Sequence, residues 1–123
     1  MKKKALLTLM VIALNMLVFG MINVSAETYE DLTYTVVNGE VTITDCVWDA
    51  TSVYIPERIS GYPVTKIGQQ AFSYCHKLTS ITIPDSIVTL GADVFSGCIN
   101  LTNVTIGNGV QNIDIGEFHN CPK

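Results

Sequence analysis

Apolar residues between Val64 and Cys121 recur with a spacing of 23 residues. When the segment is written in rows of that length, apolar positions fall into columns. The columns hold Val64, Ile87 and Val110; Ile67, Leu90 and Ile113; Phe72, Phe95 and Phe118; Cys75, Cys98 and Cys121; Leu78 and Leu101; Ile81 and Val104; Ile83 and Ile106. Such a period predicts stacked rows, each burying its apolar side against its neighbours.

Two segments in these rows alternate apolar and polar residues, as a half-buried strand does. They are residues 81–83 and 104–106, and turn-forming residues follow both, Pro84 in one row and Gly107 in the next. One strand in each row at constant spacing predicts a parallel ladder with strands about 4.8 Å apart. The return segment 69–75 has room only for a short helix or a 3-10 turn, and its phenylalanine should point inward.

Upstream of residue 64 the pattern is looser. Residues 53–56 have the same apolar–polar–apolar–Pro pattern as residues 81–84. The stretch from Pro56 to Ile67 is five residues longer than the equivalent stretch from Pro84 to Leu90. Residues 34–37 and 40–44 alternate around Asn38-Gly39, which is a strong hairpin signal. We expect this hairpin to cover the N-terminal end of the stack.

The first 26 residues have the features of a secretory signal peptide. Three lysines at positions 2–4 precede an uncharged run that ends in Val24-Ser25-Ala26, a good cleavage site before Glu27. The alternative is an uncleaved membrane anchor, because the run is about long enough to span a bilayer. The pattern predicts an exported chain that is not held in the membrane after cleavage.

Removal of the signal peptide makes the remaining chain strongly acidic. From residue 27 onward, four basic side chains oppose eleven acidic ones, and 4 − 11 gives a net charge of −7. Such a surface repels phosphate backbones, so the charge excludes nucleic acid as the expected partner.

The rows resemble the unit of the BspA-like leucine-rich repeats of bacteria, over roughly residues 34–121. One row reads Leu78-x-x-Ile81-x-Ile83-Pro84 and continues through Ile87, Leu90-Gly91, Val94-Phe95 and Cys98. The resemblance implies a leucine-rich-repeat solenoid that is secreted or displayed at the cell surface and is often associated with adhesion. The expected organisation is a signal peptide over 1–26, an N-terminal cap with the first strand row over 27–63, and 23-residue repeats over 64–123.

The last row departs from this pattern. Asp114 replaces the corner glycine, and Glu117 stands at an inward position where a carboxylate is costly. We therefore expect that flank to be exposed. Ile113, Ile115 and Phe118 would then lie beside an uncovered strand edge, which favours self-association through the C-terminal end or continuation into further repeats.

The four cysteines do not point to catalysis or to a metal. Stacked equivalent residues have parallel Cβ vectors about 5 Å apart, too far for the 3.8 Å or so of a disulfide, so the three column cysteines should be small buried apolar groups. Cys46 has no column partner and should be free or buried near the cap. His76 and His119 lie in different columns, and no Cys-x-x-Cys pair exists. We expect no catalytic residues, no metal and no cofactor.

What remains is the surface of the sheet. The outward residues of the strands should form a concave binding face, to which the cap would add Glu40, Thr42 and Thr44. The predicted face consists of Ser52, Tyr54, Ser80, Thr82, Asn103 and Thr105. Ser and Thr are also ordinary exposed strand residues, and only Tyr54 has the character of an energetic anchor. The predicted function is binding of a protein or another extracellular macromolecule. The alternatives are the non-catalytic N-terminal repeat region of a larger secreted hydrolase, or a structural spacer.

Overall fold

The computed structural model describes residues 24–113 and 115–122, so the signal-peptide prediction falls almost entirely outside the described residues. The strands are β1 Glu27–Tyr29, β2 Leu32–Val37, β3 Glu40–Cys46, β4 Ser52–Tyr54, β5 Arg58–Ile59, β6 Tyr62–Ile67, β7 Ser80–Ile83, β8 Thr89–Leu90 and β9 Asn103–Ile106; a 3-10 helix spans Ile115–Phe118. Within the described part of the chain, no helix is long and apolar enough to cross a membrane.

The predicted N-terminal hairpin is confirmed. Strands β2 and β3 pair antiparallel up to Val37 and Glu40, and Asn38 and Gly39 form the turn between them. Their φ angles of 52° and 77° are the left-handed pair that a tight two-residue hairpin turn requires. Strand β1 adds to the outer side of β2.

The repeat rows build two parallel ladders, not the single one that the sequence predicts. One ladder is β4-β7-β9, in which Ser52 pairs with Ser80 and Ser80 with Asn103. The other is β3-β6-β8, where Lys66 pairs with Thr89. The second ladder escapes sequence reasoning because β8 has only two residues, too few to show a strand period.

The place of the hairpin corrects a second expectation. Strand β3 pairs with β6 and not with β4, so Glu40, Thr42 and Thr44 do not extend the face of β4, β7 and β9. The five extra residues upstream of residue 64 form a small hairpin, β5 with β6, at the side of this second sheet.

A column of phenylalanine rings occupies the core, as predicted. The rings of Phe72 and Phe95 stack at 5.7 Å between centroids, and those of Phe95 and Phe118 stack at 5.2 Å. The segments that carry them are turns in the first two rows and the 3-10 helix in the last. Backbone hydrogen bonds also join these segments: the Phe72 N–H donates to the Val94 carbonyl and the Phe95 N–H to that of Glu117.

The last row folds differently from its prediction at Glu117. The expectation of an exposed flank is wrong there, because Glu117 is only 4% exposed. Its carboxylate accepts a hydrogen bond of 2.9 Å from the Val94 N–H, which offsets part of the cost of burying it. Ile113, by contrast, is 48% exposed, and Asp114 lies outside the described residues.

Candidate binding face

The outward surface of β4, β7 and β9 brings the six predicted side chains together. The register places them in two transverse lines, and the intervening Val53 and Ile81 are buried beneath them. One line is Ser52, Ser80 and Asn103, and the other is Tyr54, Thr82 and Thr105. We call these six residues the outward face. Every one of them is exposed or half-buried, and their role in binding stays a prediction.

Hydrogen bonds hold part of the outward face in a fixed geometry. The Ser80 hydroxyl donates to the Ser52 hydroxyl at 2.9 Å. Tyr54, at the end of β4, is 65% exposed and is the large side chain of the face. A rigid aromatic ring among small polar groups is the arrangement from which interface anchors are built.

Threonines directly before β7 and β9 hydrogen-bond to the preceding row. The Thr79 hydroxyl donates to the Thr51 carbonyl at 2.9 Å, and the Thr102 hydroxyl donates to the Thr79 carbonyl at 3.1 Å. Each hydroxyl therefore bonds to the row before it. These threonines join adjacent rows and are not free to recognise a partner as donors.

Two exposed aromatic side chains that the sequence analysis missed lie near the thiols. Trp48 is 71% exposed and has the Lys77 ammonium 5.2 Å from its ring centroid, a cation–π distance. Tyr74 is 63% exposed. Both line one open cleft of about 530 Å³, together with the acidic Asp45 and Asp49. The signal that could have found them is an aromatic residue outside every apolar column.

Tyr74 also shows how the repeat positions such a ring. It stands where the next rows have Gly97 and Asn120, and all three residues have left-handed φ angles, 59°, 74° and 59°. A Cβ on Gly97 would come within 2.6 Å of the Tyr74 ring. The missing side chain of Gly97 therefore leaves the space that the Tyr74 ring occupies.

Cys75 and Cys98 are buried, as predicted for the column cysteines, whereas Cys121 is half-buried. The Cys98 thiol donates to the Phe72 carbonyl and the Cys121 thiol to the Phe95 carbonyl, each at 3.0 Å. Burial raises the pKa of Cys98 to about 12, so this thiol is protonated at neutral pH. Among the residues that the structure describes, no group of three or more His, Cys, Asp or Glu side chains could hold a metal ion.

Cys46 is a free cysteine that is buried at the end of the hairpin strand β3, as expected from the sequence. A hydrogen bond between its thiol and that of Cys75 shifts the pKa values of the two groups in opposite directions. This bond lowers the pKa of Cys75, although burial opposes it, and the same bond together with burial raises the pKa of Cys46. Both residues border the cleft of Trp48 and Tyr74.

Sequence comparison places these features in a family. The family described as "BspA type Leucine rich repeat region (6 copies)" matches residues 45–123, well over half of the chain. The chain belongs to this family. The leucine-rich repeats thus include β4 to β9 and the 3-10 helix, while β1, β2 and most of β3 precede them. No curated protein matches the sequence.

Solved leucine-rich repeat structures of bacteria have the same fold. A leucine-rich repeat protein of T. pallidum is 25% identical with a TM-score of 0.71, over 79% of this chain and 46% of that one. A leucine-rich cell surface protein of Faecalibacterium prausnitzii is 30% identical with a TM-score of 0.67, over 79% of this chain and 28% of that one. A leucine-rich repeat protein of Bacteroides ovatus is 27% identical with a TM-score of 0.68, over 76% and 27%. The chain thus spans less than half the length of each.

Proposed function

We propose that this leucine-rich repeat chain is a secreted or surface-displayed module that binds a protein or another extracellular macromolecule through its outward face. In this proposal it acts in adhesion and has no catalytic role. The observation that carries it is the outward face itself: small polar side chains in register around the exposed Tyr54, on three hydrogen-bonded strands. Repeat proteins commonly bind through such extended surfaces.

The exposure of residues 24–26 supports export with cleavage before Glu27. Val24, Ser25 and Ala26 are exposed and directly precede β1, while Glu27 is buried and its carboxylate accepts a hydrogen bond from the Tyr34 hydroxyl. A peptidase would thus meet an accessible segment directly before β1. The cell-surface description of the F. prausnitzii relative also supports this location.

The last row supports self-association as a secondary property. Among the described residues, β9 has a neighbouring strand on one side only. The apolar side chains of this row are only partly buried against the core; they are Val104, Ile106, Val110 and Phe118. An open strand edge flanked by apolar side chains favours pairing with another strand, from a second copy or from a further row.

A capture experiment with matched tyrosine variants tests the binding role of the outward face. The chain from Glu27 onward is immobilised and exposed to proteins of a culture supernatant and of solubilised extracellular matrix. Tyr54→Ala should weaken the captured interaction roughly tenfold, which is the loss typical of an aromatic anchor. Tyr62→Ala is the control, because Tyr62 is 41% exposed but belongs to the other sheet.

The two variants must behave differently if the proposal holds. Equal affinity of wild type and Tyr54→Ala would show that the outward face does not bind. Equal loss in both variants would show that binding does not distinguish the two sheets.

A further inference from the structure

A cleft lies at the junction of the N-terminal hairpin and the first repeat row. Its walls include Asp45, Trp48 and Asp49, at the end of β3 and in the turn after it, and Tyr74 from the first row. Its volume of about 530 Å³ falls within the range of about 300–1,000 Å³ typical of ligand sites. We propose that this cleft binds a lysine or arginine side chain from a basic segment of a partner protein. The site is separate from the outward face and does not depend on the binding role of that face.

Exposed aromatic rings suit the cleft to a cation. Trp48 is 71% exposed and Tyr74 is 63% exposed. The electron-rich face of such a ring attracts an ammonium or guanidinium group within about 6 Å of its centroid, and tryptophan does so most strongly. The chain itself shows this attraction, because the Lys77 ammonium lies 5.2 Å from the Trp48 ring centroid. The Trp48 ring is therefore already a cation acceptor, and a basic side chain of a partner would compete with Lys77 for it.

The charge around the rings has the sign that a cation requires. Asp45 and Asp49 are both exposed, and neither forms an ion pair with a basic side chain among the described residues. From residue 27 onward the net charge is 4 − 11, or −7, so the field of the whole chain attracts a basic segment and repels an acidic one. A neutral ligand such as an oligosaccharide would gain from stacking on the rings but not from this charge.

Backbone hydrogen bonds hold both aromatic residues in place. Trp48 and Asp49 are the two central residues of a tight turn, which the Ala50 N–H closes by donating to the Val47 carbonyl at 3.2 Å. The Tyr74 N–H donates to a carbonyl of the next row at 2.7 Å. Because the rings and one carboxylate stand on a fixed backbone, a partner loses little free energy in ordering the site.

Titration of the chain from Glu27 onward with a basic peptide tests the site. The probe is a peptide of alternating lysine and glycine, labelled with fluorescein for anisotropy and unlabelled for tryptophan fluorescence. In about 0.15 M salt, charges more than about 8 Å apart are largely screened, so distant acidic residues contribute little. We expect saturable binding and a saturable change of emission, which reports on the cleft because Trp48 is the only tryptophan of the chain. The same peptide with glutamate in place of lysine should not bind.

Four variants at exposed positions separate the cleft from the rest of the surface. Trp48→Ala should weaken binding of the lysine peptide about twofold to fivefold, the loss of one exposed cation–π contact. Asp49→Asn should weaken it about threefold. Glu40→Gln is the matched control, because it removes the same charge at the opposite end of β3 from Asp45 and should leave the affinity unchanged. Lys77→Gln should strengthen binding about twofold, because it removes a positive charge and the competing cation from the Trp48 ring.

Several results would overturn the proposal. The first is the absence of saturable binding of the lysine peptide, and the second is binding of a neutral oligosaccharide such as maltohexaose in its place. Equal losses in Asp49→Asn and Glu40→Gln would show that only net charge acts, and weaker binding by Lys77→Gln would show that the ligand is not a cation on the Trp48 ring. Tyr54→Ala should leave the peptide affinity unchanged, and a loss there would place the peptide on the outward face instead.

Discussion

Replacement of Phe95 by alanine tests whether the phenylalanine column stabilises the stack. Phe95 is fully buried and stacks on Phe72 at 5.7 Å and on Phe118 at 5.2 Å, so its removal leaves a cavity and breaks two ring contacts. Truncation of a buried phenylalanine to alanine lowers the free energy of unfolding by about 3–5 kcal/mol, through lost burial and the cavity left behind. Because Phe95 also loses two stacked ring partners, its loss lies at the upper end of this range. A domain of this size has a total stability of about 5–15 kcal/mol.

Urea denaturation followed by circular dichroism gives the measurement. With a slope of about 2 kcal/mol per molar urea, a loss of about 5 kcal/mol moves the midpoint down by about 2.5 M. Thr82→Ala, on the outward face, should cost less than about 0.5 kcal/mol. Phe118→Ala should fall between them, because Phe118 is partly exposed and its ring stacks on that of Phe95. Equal losses for Phe95→Ala and Thr82→Ala would contradict the role of the column.

Four further outcomes are expected. N-terminal sequencing of the exported product should begin at Glu27, and a retained Met1 would instead indicate an anchor. Gly91→Ala should lower the Tm more than Gly61→Ala, because a Cβ on Gly91 collides with backbone while Gly61 has open space and only a strained φ of 83°. Burial raises the pKa of Tyr34, so the unfolded chain loses the hydroxyl proton at a lower pH than the folded chain does. The free energy of unfolding should therefore fall above about pH 10, and thermal melts at several pH values should show a smaller fall for Tyr34→Phe. Sedimentation at increasing concentration should show mass above the monomer, and a monomer throughout would refute association through the C-terminal end.

The repeat was predictable because it is a property of spacing. Equivalent residues 23 positions apart must meet once rows stack, so the Phe95 contacts and the Ser80–Asn103 pairing follow from the columns alone. The outward positions follow from strand alternation in the same way. Relatives with the same fold share 25–30% of their residues with this chain, which fits a structure set by a few apolar positions.

Features that depend on a single row escaped the sequence. Glu117 is buried because one backbone N–H of the neighbouring row meets its carboxylate, and no column reveals that bond. Trp48 and Tyr74 were overlooked because both lie outside the apolar columns, and the positions equivalent to Tyr74 in the later rows are Gly97 and Asn120, which are not aromatic.

The two parallel ladders have a consequence for the order of folding. The antiparallel pair of β2 with β3 joins residues 3 to 14 positions apart. The β7–β9 and β6–β8 pairs join residues 23 apart, and the β4–β7 pair joins residues 28 apart. A hairpin closes in about 1–10 μs, so β2 and β3 offer the first template, onto which β6 can add. Every later row then closes a loop of nearly the same length, and the longer first crossover adds only about 0.2 kcal/mol of closure entropy. The chain is therefore expected to assemble row by row from its N-terminal hairpin, with each completed edge serving as the surface on which the next row forms.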